Sequence, residues 1–356
     1  MTYDLCVLIG RFQIFHMRHL AVILEGLKHA KNMVVFVGSA NGARSFRNPF
    51  TFEERYKVIK DSVDAAGEDS SRIACFPLED CVYDDEYWKQ SVVGLVSSCI
   101  WRTLECPSEN IALLGYAKDH TSYFLDMFPQ WKKHPVKGDN TSSSYMRNAY
   151  FSNIGQLWAK NSDGHNVGDS QRDKIVPKPA RDFLMSFLDT PEYKEIYNEY
   201  EFITKFRKPY LSLMVKPTFN TVDVLVSHGK NVLLRKRSEY PGKGLWELPS
   251  KLLMPSKTIK GTVSDILETL SNPNVQPTNR YANSPTLIQK VFDNPERDAR
   301  GRFISHAFHV KLKGNTRLPE VVSAQWWKLD KLTRQMMFSD NKDIITTFAG
   351  DKKNGS

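Results

Sequence analysis

Cysteine is scarce and badly spaced for any cross-linking role. The five residues (Cys6, Cys75, Cys81, Cys99 and Cys106) are odd in number and contain no C-x-x-C pair, which argues against a disulfide framework and a thiolate zinc site. They read as buried thiols of a reducing compartment. No apolar run approaches the length that spans a bilayer, and the N-terminus carries no basic-then-apolar leader. The chain is therefore expected to be cytoplasmic with no membrane partner. Long basic runs are missing as well. Lys and Arg outnumber Asp and Glu by 49 to 40, a formal charge of +9, but they are scattered among acids. The excess favours anionic partners, and a polyphosphate substrate accounts for it at least as well as a nucleic-acid footprint. No internal repeat is visible. What remains is a soluble globular composition, 41% hydrophobic and 25% charged over 356 residues. That length exceeds what one hydrophobic core usually serves, so two domains are expected.

The first part alternates short apolar runs with helical periodicity. Strands are expected at Leu5–Ile9, Met33–Gly38, Arg72–Phe76 and Ile111–Gly115, and helices over about 18–30, 52–64, 84–104 and 120–127. This alternation predicts an α/β domain, a parallel sheet with helices on both faces. Residues 161–173 are polar and read as an exposed loop. From Pro179 to Phe206 the pattern is helical, with Tyr193, Ile196, Tyr197, Tyr200 and Ile203 at helix spacing after a Thr190-Pro191 start. This stretch reads as a connecting helix or helix pair packed between domains. Beyond Pro209 the texture is β. Leu211–Val215, Thr221–Val226 and Asn231–Lys236 are strand-like, with a hairpin turn at His228–Asn231. A helix at about 257–270 and strands at Ile304–Leu312 and Ala324–Leu329 complete a mixed α+β domain.

The segment Ile9–His19 carries the most chemical information. An apolar strand ends in Gly10, and His16 and His19 follow at the start of a stretch with Leu20, Ile23, Leu24 and Leu27 on one face. That order sets backbone N–H groups and two imidazoles at a helix N-terminus, where an anion is stabilised and where ligands sit in α/β folds. Alone, an H-x-x-H pair is short and common, and two solvated histidines explain it better. Three further segments change the balance. Asn48–Arg55 holds Thr51 and Glu54 as a capping box. Gly115–Phe124 is a glycine-ended strand followed by a polar loop, and Asn140–Arg147 is a hydroxyl-rich helix start with Arg147 three residues after Ser144. In a parallel sheet, strand ends followed by helix N-termini converge on one edge.

In this order the residues resemble the signatures of the nicotinamide-nucleotide adenylyltransferases, of the nucleotidyltransferase superfamily. Gly10, Arg11, Phe12 and Gln13 with His16 and His19 resemble the first motif, and Ser142–Arg147 resembles the serine/threonine cluster ending in arginine. Asn48–Arg55 and Gly115–Phe124, followed by Phe128–Trp131, resemble the branch fused to a Nudix domain. The resemblance spans nearly the whole chain. It implies a Rossmann-like nucleotidyltransferase domain over residues 1–175, a helical connection over 176–208 and an α+β Nudix-like domain over 209–350.

The implied reaction is transfer of AMP from ATP to nicotinamide mononucleotide, giving NAD and pyrophosphate. His16 and His19 would hold the ATP phosphates, with Arg147 and the Ser144 hydroxyl at the β/γ end. A magnesium ion would bridge the triphosphate. Gly10, Arg11, Phe12, Gln13, Asn48, Arg55, Gly115, Lys118, Asp119 and Ser142 are the expected substrate contacts. The chemistry suits these residues, because phosphoryl-group transfer needs positioning and charge stabilisation more than a protein nucleophile. Two positions depart from the family pattern: Ile14 stands where it has proline, and Arg18 where it has glycine. A side chain at 18 either adds a cation or crowds the phosphate.

In the second domain, Leu233–Arg237, Pro241–Pro249, Arg300–Phe308 and Trp326-Trp327 resemble the flanks of a Nudix module. The box itself departs from the pattern. Ser250 and Lys251 replace two expected glycines, Lys257 occupies the region of the leading glutamate, and only Asp265 and Glu268 remain as weak metal candidates. Pyrophosphate hydrolysis needs clustered carboxylates to hold metal, so a weak or inactive hydrolase is expected, one that still binds ADP-ribose or another nucleotide. Asp265 and Glu268 read more simply as a solvated helix face. Trp326, Trp327 and the tyrosines of 193–200 read as core packing, and His306 and His309 as structural residues on opposite faces of a strand. The alternatives are a related transferase with another phosphate acceptor and a nucleotide sensor with a transferase site impaired by Arg18. A nucleic-acid-binding regulator is supported by charge alone. The sequence leaves a homo-oligomer open.

Overall fold

A computed structural model describes residues 2–103, 110–115, 125–136, 143–152, 175–270, 288–312 and 324–350. The chain divides into two compact units, Met1–Tyr197 and Asn198–Ser356.

The first unit is built on five parallel strands, β1 (Tyr3–Gly10), β2 (Ala30–Val37), β3 (Ile73–Pro77), β4 (Ile111–Gly115) and β5 (Lys132–Pro135), in the order β3-β2-β1-β4-β5. Helices α1 (Met17–His29), α2 (Phe52–Ala65), α3 (Asp85–Thr103) and α4 (Ser143–Phe151) follow the strands, and α5 (Lys178–Phe187) packs on α2. Central strands read as continuous apolar runs because both faces are covered. On one face Leu5, Val7, Val34, Phe36, Ile111 and Leu113 pack with Val92, Val96 and Cys99 of α3 and with Phe128 and Trp131. On the other, α1 lies so close that a Cβ at Gly26 would stand 2.5 Å from Leu114 Cδ1. A glycine inside a helix costs about 0.5–1 kcal/mol, and here it allows the helix to seat on the sheet.

The strands and helices expected in this unit are present to within a few residues, with two differences. β5 was not expected, because Lys132–Pro135 is a short edge strand whose exposed lysines give no apolar alternation. The helix expected over 120–127 lies in part outside the described residues, and Leu125 and Asp126 form only a 3-10 turn. The loop expected at 161–173 also lies outside them.

Helix α6 (Pro191–Arg207) carries the chain across the division between units. The second unit holds a mixed sheet in the order β10-β11-β6-β7-β12, formed by β6 (Thr218–His228), β7 (Asn231–Lys236), β10 (Ile288–Phe292), β11 (Arg302–Lys311) and β12 (Gln325–Lys328). The short strands β8 (Trp246–Glu247) and β9 (Ser250–Leu252) pair with β7 and β6. Helix α7 (Ile259–Leu270) packs Val263, Ile266, Leu267 and Leu270 on Val222, Val224, Val226, Phe308 and Val310 of the sheet, and α8 (Asn341–Gly350) ends the described chain. The strand expected at Leu211–Val215 does not form. The segment turns instead, with Leu211, Met214 and Val215 exposed. Lys216 Nζ donates to the carbonyls of Tyr210, Leu211 and Leu213, which holds those groups in a compact turn where no neighbouring strand is available.

Burial pushes the Cys6 and Cys75 thiols up to about 12, so neither holds appreciable thiolate in the folded chain. Iodoacetamide at pH 8 is expected to leave Cys6 unmodified until urea unfolds the first unit, as read by peptide mass mapping. Because these folded values lie above the ordinary thiol value of 9.0, their contribution to stability is complete below that pH and is lost as pH rises beyond it.

Candidate active site

The sheet order reverses at β1, with β2 and β3 on one side and β4 and β5 on the other. Ligands of open α/β sheets bind in the crevice beyond the carboxyl end of such a strand. There the chain makes a tight reversal. A Cβ at Gly10 would lie 2.8 Å from the Phe12 ring, so glycine at this position lets Phe12, buried at φ 52°, fold back over the strand end. Phe12 meets the His19 ring edge-on with centroids 4.9 Å apart, and Phe15 stacks on it at 5.6 Å. His16 and His19 stack on each other at 3.7 Å, and the His16 backbone N–H donates to His19 Nδ1 at 3.4 Å. The apolar residues of the turn thus orient both imidazoles at the first turn of α1.

Gln13 links this turn to two distant segments. Its side-chain amide donates to the Phe50 carbonyl at 2.9 Å and accepts from the Phe50 N–H at 3.0 Å. Its backbone carbonyl accepts from Arg147 Nη1 at 2.5 Å. Arg147 is buried and donates through Nη2 to Ser144 Oγ at 3.0 Å. His16 Nε2 lies 3.2 Å from Ser143 Oγ. Two histidines, two hydroxyls and a guanidinium therefore stand together between the start of α1 and the start of α4, a set of donors suited to a polyanion.

The segment after β2 closes one side. Thr51 caps α2 by accepting from the Glu54 N–H, and the Glu54 carboxylate accepts from the Thr51 N–H at 2.8 Å. Arg44 grips the same carboxylate with both terminal nitrogens, at 2.7 and 2.8 Å. Arg55 is buried and donates to the carbonyls of Thr51, Arg11 and Gly38 at 2.9, 2.6 and 2.6 Å, with Ser39 at 3.5 Å. Burial lowers its pKa to about 10, against the opposing charges of Asp80, Glu53 and Glu54. Asn48 is held through its N–H on Ser45 Oγ at 3.2 Å. Its Oδ1 is buried with no hydrogen-bond partner among the described residues, an acceptor available to a ligand.

The structure therefore brings together Gly10, Arg11, Phe12, Gln13, His16, His19, Asn48, Arg55, Ser144 and Arg147. Gly115 ends β4, the strand beside β1. Lys118, Asp119 and Ser142 lie outside the described residues. Two of the residues expected at the substrate have structural partners here. Gln13 clamps the Phe50 backbone, and Arg55 ties the ends of β1 and β2 to α2. Ser143 sits in the expected hydroxyl cluster without standing out in the sequence, because helix register alone does not say which hydroxyl meets His16.

In the second unit Glu247 is buried and paired with Arg235 and Arg237, and the Arg297 guanidinium lies between Asp223 and Asp340. Asp265 faces Lys257 Nζ at 3.2 Å, Lys251 Nζ donates to its backbone carbonyl at 3.0 Å, and Glu268 is exposed. Among the described residues, no group of three metal-ligating side chains forms in this unit.

The cytidylyltransferase-like family matches residues 7–85. The chain is 32% identical over 200 residues to a nicotinamide/nicotinic acid mononucleotide adenylyltransferase of Acinetobacter baylyi, covering 56% of this chain and 94% of that protein. It is 38% identical over 76 residues to a nicotinamide-nucleotide adenylyltransferase of Saccharolobus solfataricus, covering 21% and 44%. A bifunctional NMN adenylyltransferase/ADP ribose pyrophosphatase from Francisella tularensis, complexed with AMP and a manganese ion, is similar over 98% of this chain and 99% of that one. Its TM-score is 0.82 and its identity 28%. Fold and site together define a nucleotidyltransferase joined to a Nudix-like second unit. More narrowly, the chain belongs to the nicotinamide/nicotinic acid mononucleotide adenylyltransferase family.

Arg55→Lys removes most of the donors that hold four backbone carbonyls, and each buried acceptor left unmade costs about 1–3 kcal/mol. The variant is expected to lower both the urea midpoint of the first unit and kcat. A change confined to KM would instead make Arg55 a direct substrate contact.

Proposed function

We propose that this protein transfers AMP from ATP to nicotinamide mononucleotide, forming NAD and pyrophosphate in the cytoplasm. The observation that carries the reading is the group of His16, His19, Ser143, Ser144 and Arg147 assembled by Gln13 beyond the end of β1. A phosphate oxygen of the mononucleotide attacks the α-phosphorus of ATP. The bond from that phosphorus to the bridging oxygen breaks, and pyrophosphate leaves with both electrons. No protein nucleophile is needed, and catalysis rests on alignment and on charge at the phosphate oxygens. The imidazoles and Arg147 hold the triphosphate, and the Ser144 hydroxyl orients Arg147. The buried Asn48 Oδ1 accepts from the substrate.

The described residues place no cluster of three ligating side chains at this site. In this reading the divalent cation accompanies the triphosphate, and magnesium, which keeps most of its waters on phosphate, is the ordinary choice.

For the second unit the proposed role is nucleotide binding without hydrolysis. Lys257 pairs with the one half-buried acid of the degenerate box, and among the described residues no set of three ligating side chains stands there to hold metal.

Protein mixed with ATP, magnesium and nicotinamide mononucleotide is expected to yield NAD, resolved by chromatography. His19→Ala is expected to lower kcat by about 10²–10³, and an unchanged rate would overturn the mechanism. Arg18→Gly should leave the rate within about tenfold, whereas a sharp rise would show that Arg18 crowds the phosphates. ADP-ribose with magnesium or manganese should release no AMP.

A further inference from the structure

Helix α1 carries the nucleotide-facing histidines at its start, and a second imidazole cluster lies at its other end. Glu25 and His29 are four residues apart in the last turns of α1, the spacing that puts two side chains on one helix face. Glu25 Oε1 lies 3.1 Å from His29 Nε2. His134, from the edge strand β5, brings its ring to within 4.6 Å of the His29 ring, centre to centre. One ligand atom from each of Glu25, His29 and His134 lies within 4.8 Å of the other two. Tetrahedral zinc ligands at bond lengths of about 2.0–2.2 Å stand roughly 3.4 Å apart, so small side-chain rotations complete the set. All three residues are half-buried, which leaves a fourth position for water.

The groups behind the cluster match what a metal site requires. Tyr3 Oη lies 3.3 Å from His134 Nδ1, and Thr2 Oγ1 lies 3.4 Å from His29 Nδ1. Each imidazole thus has one nitrogen against a hydroxyl, the arrangement that fixes tautomer and ring orientation in bound histidines. Thr2 is itself fixed, since its N–H donates to the His29 carbonyl at 2.8 Å. Lys28 Nζ sits 3.2 Å from Glu25 Oε2 and leaves Oε1 for a ligand. A lone ion pair between Glu25 and His29 would explain two of these residues. It would not explain a third imidazole on a separate strand, or the hydroxyl behind each ring.

We infer that Glu25, His29 and His134 form a binding site for a borderline divalent cation of the zinc class, apart from the nucleotide site, which clamps the end of α1 to the edge strand β5. Two imidazoles and a carboxylate are the donor set such ions favour over magnesium.

The test uses the full chain, stripped with chelator and titrated with Co²⁺ as a coloured substitute for Zn²⁺. The wild type is expected to develop visible d–d absorption at about one equivalent, which Zn²⁺ displaces. Zn²⁺ should also raise the thermal midpoint of the first unit by at least about 3 °C. His134→Ala and Glu25→Gln should each weaken binding by more than tenfold, and Tyr3→Phe by roughly tenfold, the size typical of an outer-shell partner. NAD synthesis by His134→Ala should stay at the wild-type rate, which shows that the variant is folded. His19→Ala should keep the absorption, which separates this site from the nucleotide-facing imidazoles. No absorption in the wild type, absorption retained in both His134→Ala and Glu25→Gln, or its loss in His19→Ala would each overturn the assignment.

Discussion

The candidate site depends on one buried amide. Gln13 pairs with both backbone groups of Phe50, and its own carbonyl receives Arg147. Three stretches of chain thereby share one residue: the reversal after β1, the loop leading into α2, and the start of α4. Nearly all of the Gln13 side chain is out of water, 1% exposed, so leaving any of these bonds unmade would cost the full desolvation of that group. Such a clamp is intolerant of partial formation. It holds the imidazoles, hydroxyls and guanidinium in register, and register is what a reaction driven by positioning requires.

The buried arginines follow the same logic. Arg55 faces backbone carbonyls, and Arg147 a carbonyl and a hydroxyl. Taking the Arg55 guanidinium out of water is costly, and its lowered pKa expresses that cost. The return is a rigid strand end, with Arg11, Gly38 and Thr51 fixed by one side chain. Helix α1 carries imidazoles at both of its ends. His16 and His19 stand at its start, and Glu25 and His29 at its close, against the neighbouring strands of the sheet.

In the second unit several charged groups are paired with one another. Glu247 joins Arg235 and Arg237, Arg297 joins Asp223 and Asp340, and Asp265 joins Lys257. These pairs hold the sheet and its loops, and they leave no array of carboxylates on α7 among the described residues.

Much of the architecture was legible in the chain itself. Strand β4 was expected at Ile111–Gly115 and is found there, and the capping box at Thr51 and Glu54 forms as its residue types require. These features depend on neighbours within a few residues, where periodicity and caps act. Strand β5 was hidden because an edge strand with exposed lysines has no apolar alternation. Leu211–Val215 misled because β propensity counts only where another strand is available to pair. The sequence by itself determined most of the strands and helices, the motifs that gather beyond β1, and the family. Only the tertiary structure decided which hydroxyl meets His16, 127 residues away, and which carbonyl Arg147 holds, 134 residues away. It also turned Gln13 and Arg55 toward backbone partners and set Lys257 against Asp265. Such contacts follow from how the layers pack, and that is settled by the whole core rather than by any local pattern of residues.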